Sequence, residues 1–178
     1  MQVTIVTPLF PPDVSTPALY AKTLAENLAG FASVEVIHYG YLPEAVNGVS
    51  FVSVPSRTIT LFRLIRCLSA LWRTRTSDYF IILNGPSVEL PYLLLSQLMR
   101  KPCLYIVNDG EATTHGGFLA QSLRKNLSEI AVATITPPEP VLTRPLIHPL
   151  KPETQHHFAV YKQAWEEHIA TIRHYAKF

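Results

Sequence analysis

Blocks of four to seven mainly apolar residues alternate along this chain with segments whose apolar positions return every third or fourth residue. Blocks of the first kind predict buried strands, and segments of the second kind predict amphipathic helices. Residues 3–7 form the first block. Ala18, Ala21, Leu24, Ala25 and Leu28 then recur at helical spacing, with Lys22 and Glu26 paired four apart on the outer side. Thr16 as N-cap ahead of Pro17 starts this helix, and Gly30 ends it. Residues 34–39 and 49–54 read as the second and third strands, the latter entered through an Asn47-Gly48 turn. Segment 61–75 sets Leu61, Leu64, Ile65, Leu68, Leu71 and Trp72 on one face and Arg63, Arg66 and Arg73 on the other, which predicts a helix. Strands at 79–83 and 104–107, a nearly all-apolar helix at 91–99, a helix near 118–127 and a weaker strand at 130–135 follow.

Short apolar strands alternating with helices predict an α/β domain over residues 1–136, a Rossmann-like and mostly parallel sheet with helices on both faces. Pro137, Pro138, Pro140, Pro145, Pro149 and Pro152 break that rhythm and predict a stiff extended linker over 137–152, without helix or interior strand. Beyond it Phe158, Tyr161, Trp165, Ile169 and Ile172 mark one amphipathic helix within 153–178. Such a helix is not stable alone and needs an apolar surface to dock against.

A chain of 178 residues suffices for one domain with one core. Its 48% hydrophobic and 16% charged residues exclude disorder, and no apolar run approaches the ~20 residues of a bilayer span. The opening MQVTIVTPLF reads as a strand and lacks the basic and apolar regions of a signal peptide, so a cytoplasmic address is expected. Cys67 and Cys103, the only cysteines, fall in apolar patterns and read as packing thiols. A net charge of +2 gives no reason to expect a nucleic-acid partner, but the charge is uneven. Between Glu44 and Asp78 there is no acidic residue, while Arg57, Arg63, Arg66, Arg73 and Arg75 lie there. Two readings of the 61–75 helix follow. Either it is an ordinary helix with its apolar face on the sheet, or Arg63, Arg66 and Arg73 give peripheral contact with an anionic inner membrane surface.

Ligands of open α/β sheets sit beyond the carboxyl ends of the strands, so residues 11–20, 39–41, 84–89 and 108–115 are the informative junctions. They contain neither G-x-G-x-x-G nor a Walker A loop, which argues against dinucleotide and NTPase chemistry, and no cofactor is expected. His156, His157, His168 and His174 do not fall at the i, i+4 spacing of zinc-binding helices, so no metal centre is expected either.

The block "VTIVTPLFPPDVSTPALYAKTLAENLAG", followed by "VEVIHYG", "DYFIILNGP" and "KPCLYIVNDGE", resembles the N-terminal half of two-domain GT-B glycosyltransferases, particularly the retaining family 4 enzymes, over residues 1–136. The resemblance implies an acceptor-holding domain. Its first loop in that family carries a Gly-Gly pair that lets the backbone approach the diphosphate of a nucleotide sugar held by the C-terminal domain. Ser15 and Thr16 stand at that place here, where a β-carbon crowds a pyrophosphate, although both also suit a plain helix cap. After the fifth strand relatives often have an active-site histidine. This chain has Asn108-Asp109-Gly110-Glu111, and asparagine does not shuttle protons near neutral pH.

Asp109 and Glu111 are the catalytic candidates, and they also read as solvated loop carboxylates. Asp13, Ser15, Thr16, Tyr20, Asn84, Ser87, Asn108, Asp109 and Glu111 are the expected substrate-binding residues. The family's donor domain has no counterpart in the sequence, and the resemblance implies that residues 153–175 correspond to the family's terminal helix, which packs back on the N-terminal domain. The expectation is an acceptor-binding domain for a sugar or lipid-linked sugar. It is inactive alone and completed by a separate donor-binding domain or by a homo-oligomer. The alternative is a non-catalytic saccharide- or protein-binding module derived from such an enzyme.

Overall fold

Strands β1 (Gln2–Thr7), β2 (Ser33–Tyr39), β3 (Val49–Val54), β4 (Tyr79–Leu83), β5 (Cys103–Ile106) and β6 (Ala133–Ile135) pair in parallel in the order β3-β2-β1-β4-β5-β6. This is the arrangement in a computed structural model that describes residues 1–40, 42–56, 59–107, 117–142 and 152–176. Helices α1 (Thr16–Ala29), α2 (Thr60–Arg73), α3 (Pro86–Met99), α4 (Phe118–Ile130), α5 (Glu139–Leu142) and α6 (Pro152–Ala176) surround the sheet. The chain therefore has the Rossmann-like α/β fold that its apolar periodicity predicts. All five residues of β4 and all four of β5 are buried, as continuous apolar strands covered on both faces should be.

Strand alternation divides the core into two layers. Val3, Ile5, Val34, Val36, Ile81, Leu83, Leu104 and Ile106 point toward α1 and α6. Val6, Ile37, Phe80, Ile82, Cys103 and Tyr105 point toward α2, α3 and α4. Burying an aliphatic side chain of this size contributes about 1.5–3 kcal/mol, so the two layers dominate the fold. Both cysteines are free and buried, and burial pushes both thiols up, as packing residues require.

Helix α6 packs across this first layer. Trp165, Ile169, Ile172 and Ala176 are buried against a surface that includes Tyr20, Ala21, Leu24, Leu28 and Val141. Trp165 stacks on Tyr20 with ring centroids 5.4 Å apart, and the Arg173 guanidinium lies 4.3 Å from the centre of the Phe31 ring. The amphipathic C-terminal helix thus docks back on the sheet domain.

Gly30 closes α1 as expected, in a right-handed conformation at φ −71° that does not exploit glycine's freedom. Three local expectations change. The N-cap of α1 is Ser15, one residue before Thr16, and its hydroxyl makes no capping bond. Among its described residues the proline-rich stretch contains a short helix, α5, because Pro140 lies in its first turn, where no backbone N–H is needed. Helix α3 begins at Pro86 instead of Pro91, which leaves Pro91 inside it. Pro91 has no N–H to give the Ser87 carbonyl, and the Tyr39 hydroxyl donates to that carbonyl at 2.7 Å instead.

The largest change concerns α2. Its buried residues are Cys67, Ala70 and Leu71, while Leu61, Ile65 and Trp72 are exposed and Leu68 is half-buried. The helix is turned about its axis so that Cys67 and Ala70 meet the sheet beside Leu71, and half of the apolar face expected to cover it points outward.

Candidate functional site

The carboxyl ends of β1, β2 and β4 define the ligand-binding edge of the sheet, with Asp13, Ser15 and Thr16 following β1 and Asn84 and Ser87 following β4. Between β1 and β4 the strand order reverses, the usual place for a ligand crevice in such sheets. Here that point is narrowed by contact between the two loops. Gly85, at φ +156°, lies so close to Pro8 that a β-carbon on it would come within 2.9 Å of the proline ring. Glu89, one turn into α3 and fully buried, braces this loop. Its Oε1 accepts the Gly85 N–H at 2.9 Å and the Tyr105 hydroxyl at 2.6 Å, and its Oε2 has no hydrogen-bond partner among the described residues. Burial and the Glu89 carboxylate both raise the Tyr105 phenol, so it stays a donor.

The open space lies one strand over. A hollow of about 310 Å³ is lined by Phe10, Pro11, Pro12, Asp13, His38 and Tyr39, with Gly40 and Leu42 at its rim. That is the small end of the range of about 300–1,000 Å³ typical of ligand pockets. Two loops build it. In the first, the Thr7 hydroxyl donates to the Leu9 carbonyl at 2.7 Å, Asp13 N–H bonds the Phe10 carbonyl at 3.3 Å, and the Pro11 carbonyl accepts from Glu44 N–H at 2.9 Å. In the second, Gly40 at φ +131° turns the chain away from β2 while its N–H stays on the Val54 carbonyl at 3.0 Å. Lys22 pairs with Glu44 and ties the second loop to α1.

His38 forms part of the floor. Its Nε2 lies 2.9 Å from the Ser53 hydroxyl and its Nδ1 3.3 Å from the Tyr39 carbonyl, so a proton on Nδ1 and an accepting Nε2 satisfy both contacts. Burial holds its pKa below the usual imidazole value, against the opposing pull of the Tyr39 carbonyl. Phe10 packs against the rings of His38 and Phe51 at 5.9 and 5.1 Å. The hollow therefore offers aromatic surface, a neutral imidazole and one exposed carboxylate.

That carboxylate is Asp13. Its Oδ1 accepts the Ser15 N–H at 2.8 Å, and the Ser15 hydroxyl and then this amide hold its pKa below the ordinary carboxylate value. An anion thus lies on the amide of the N-cap residue, just ahead of α1, and a diphosphate approaching the helix start would meet like charge. Ser15 is half-buried at the N-cap and Thr16 is exposed at the start of α1.

The other expected residues are scattered. Tyr20 is buried beneath α6, its hydroxyl 2.7 Å from His168 Nε2, and is therefore turned away from the hollow. Asn84 is half-buried at the end of β4, and Ser87 is exposed on α3, where its carbonyl holds Tyr39. Asn108, Asp109 and Glu111 lie outside the described residues. Arg63, Arg66 and Arg73 are on α2 and do not line the hollow.

Phe10, His38, Tyr39 and Leu42 line the hollow without having been singled out as binding residues. A histidine next to the last residue of a strand, at a ligand-binding edge, was the available signal for His38.

No protein-family model matches this sequence, and no curated protein matches it. Solved structures do resemble it. Anabaena HepE, crystallised with UDP and glucose, superimposes with a TM-score of 0.57 at 13% identity, over 92% of this chain and 41% of HepE. The UDP-GlcNAc 2-epimerase of Methanocaldococcus jannaschii gives a TM-score of 0.50 at 13% identity, over 78% of this chain and 40% of the epimerase. At such identity the likeness shows the fold alone, that of a GT-B-like half-domain. The chain spans about two-fifths of the length of these structures. They support a GT-B-like half-domain and not family 4 in particular.

Proposed function

We propose that this chain is the acceptor-holding half of a GT-B-type glycosyl-transferring enzyme, with the hollow beside β1 and β2 receiving a saccharide. It turns over only when a partner supplies the donor-binding lobe. The observation that supports this most is the hollow's chemistry at the ligand-binding edge of the sheet. Aromatic side chains in its lining suit the C–H face of a sugar ring, and the exposed Asp13 carboxylate suits its hydroxyls. The site is poorly suited to a nucleotide diphosphate, because the Asp13 carboxylate lies beside the N-cap of α1 and would repel it, and Pro8 crowds the crevice at Gly85. The affiliation with the retaining family 4 enzymes rests on the sequence blocks quoted above, of which the first is the most specific. A non-catalytic saccharide-binding module would use the same hollow.

Titration of the purified chain with neutral oligosaccharides and, separately, with UDP-sugars tests the proposal. Saccharide-dependent NMR shifts should map to Phe10, Asp13 and Tyr39, and Asp13→Asn should weaken binding about tenfold, the size of one hydrogen bond to a charged group. UDP-sugars should leave the spectrum unchanged. If the isolated chain binds a UDP-sugar and transfers its glycosyl group, the half-site reading is wrong. Should a donor lobe added in trans restore transfer, the enzyme reading prevails over the module.

A further inference from the structure

An apolar stripe runs along the outside of α2. Leu61, Ile65, Leu68 and Trp72 recur at i, i+4, i+7 and i+11, on one line of a helix with 3.6 residues per turn. Leu61 is 65% exposed, Ile65 53% and Trp72 43%, so the stripe is not part of the core. Leu94 and Leu98 are exposed on α3, the neighbouring helix on the same face of the sheet. Contiguous apolar surface rimmed by polar groups marks an interaction site in soluble domains.

The rim is cationic. Arg66, Arg73 and Arg75 are exposed along or just beyond α2, and Arg63 is half-buried beside them. Arg66 lies 4.9 Å from the centre of the Phe62 ring and Arg75 the same distance from that of Trp72, so the charges are held beside the apolar surface. No acidic residue occurs from residue 45 to residue 77, and the single one in α3, Glu89, is buried. No helix among the described residues is long and apolar enough to cross a membrane.

We propose that the outer face of α2 lies on an anionic lipid bilayer, with its apolar stripe sunk at the interface and its arginines on the headgroups. A convex helix face needs no matching groove when its partner is a fluid surface. A second copy of the chain is a poor partner, because a twofold contact would bring one set of arginines against the other. Helix α2 also begins just after the carboxyl end of β3, at the sheet edge that carries the hollow. Its first turn would therefore hold that edge near the membrane. This proposal stands independently of the saccharide reading, since its test contains no saccharide.

Flotation of the full chain with phosphatidylglycerol–phosphatidylcholine vesicles, against phosphatidylcholine alone, is the experiment. At low salt the anionic vesicles should carry the protein and the neutral ones should not, and added salt should release it. Trp165 is buried and Trp72 exposed, so a blue shift of emission on binding reports Trp72 entering the interface. Arg66→Gln, Arg73→Gln and Arg75→Gln together should lower the partition roughly a hundredfold, each basic contact contributing about fivefold. Leu61→Ser with Ile65→Ser should abolish the Trp72 shift, and the exposed positions should leave the thermal midpoint unchanged. Absence of binding to anionic vesicles at low salt overturns the proposal. So does binding that ignores lipid charge and the arginines, or a solution dimer that Leu61→Ser and Ile65→Ser break.

Discussion

Two residues at the edge of the sheet show how tightly the β4–α3 loop is specified. Gly85 combines a left-sided φ of +156° with the Pro8 ring 2.9 Å from where its β-carbon would stand, and a proline ring has little freedom to retreat. Gly85→Ala should therefore cost about 2 kcal/mol or more, read as a lower urea midpoint with an unchanged slope. Glu89 acts from the other side of the same turn. Replacing it with Ala strands the Gly85 N–H and the buried Tyr105 hydroxyl, at about 1–3 kcal/mol for each unpaired group. Glu89→Gln keeps an acceptor for them and should cost clearly less. An equal loss for the two variants would show that the hydrogen bonds are not what Glu89 contributes. The junction itself was visible from the strand that precedes it. The role of Glu89 was not, because it depends on a partner 16 residues away on another strand.

At the scale of elements, apolar spacing located nearly every helix and strand, but not always the side each helix turns inward. Helix α2 carries apolar residues around more than half its circumference, so periodicity alone could not choose its buried edge. The choice fell to Cys67 and Ala70, small enough for close approach, a packing fact that needs the facing surface to be known. Helix α6 was easier to read, because Trp165, Ile169 and Ile172 leave one apolar line and the sheet domain offers one uncovered layer. Trp165 is the anchor of that contact. Trp165→Ala should destabilise by about 3–5 kcal/mol and strip hydrogen-exchange protection from α6 before the sheet. The buried indole N–H of Trp165 has no partner among the described residues, so Trp165→Phe should lose much less. Similar losses for the two would mean that shape, not apolar burial, holds the helix.

For the molecule as a whole, alternating strands and helices sufficed to predict a parallel sheet, whereas the position of the pocket followed from how two loops meet. The proline-rich first loop was recognisable as a ligand-edge junction. That it closes on Gly85 and opens toward His38 depends on contacts between residues far apart in sequence. The same long-range assembly gives the whole molecule a pH dependence. His168 is buried beneath Trp165 and bonded to Tyr20, and burial lowers its pKa to about 4, well below the ordinary imidazole value. The unfolded chain therefore binds a proton at His168 more readily than the folded one. Stability is retained above the unfolded value and lost as the pH falls from about 6.5 toward 4. His38, lowered by burial as well, acts in the same sense, while Glu35, raised by burial, acts in the opposite one. Between pH 7 and pH 5 the His168 contribution alone should remove about 2 kcal/mol, measured by urea unfolding at the two values. His168→Gln can still accept from the Tyr20 hydroxyl but cannot take up a proton, so it should flatten this dependence while holding α6 in place. If the variant falls in stability with pH as steeply as the parent chain, the titration lies elsewhere and the Tyr20–His168 contact is purely structural.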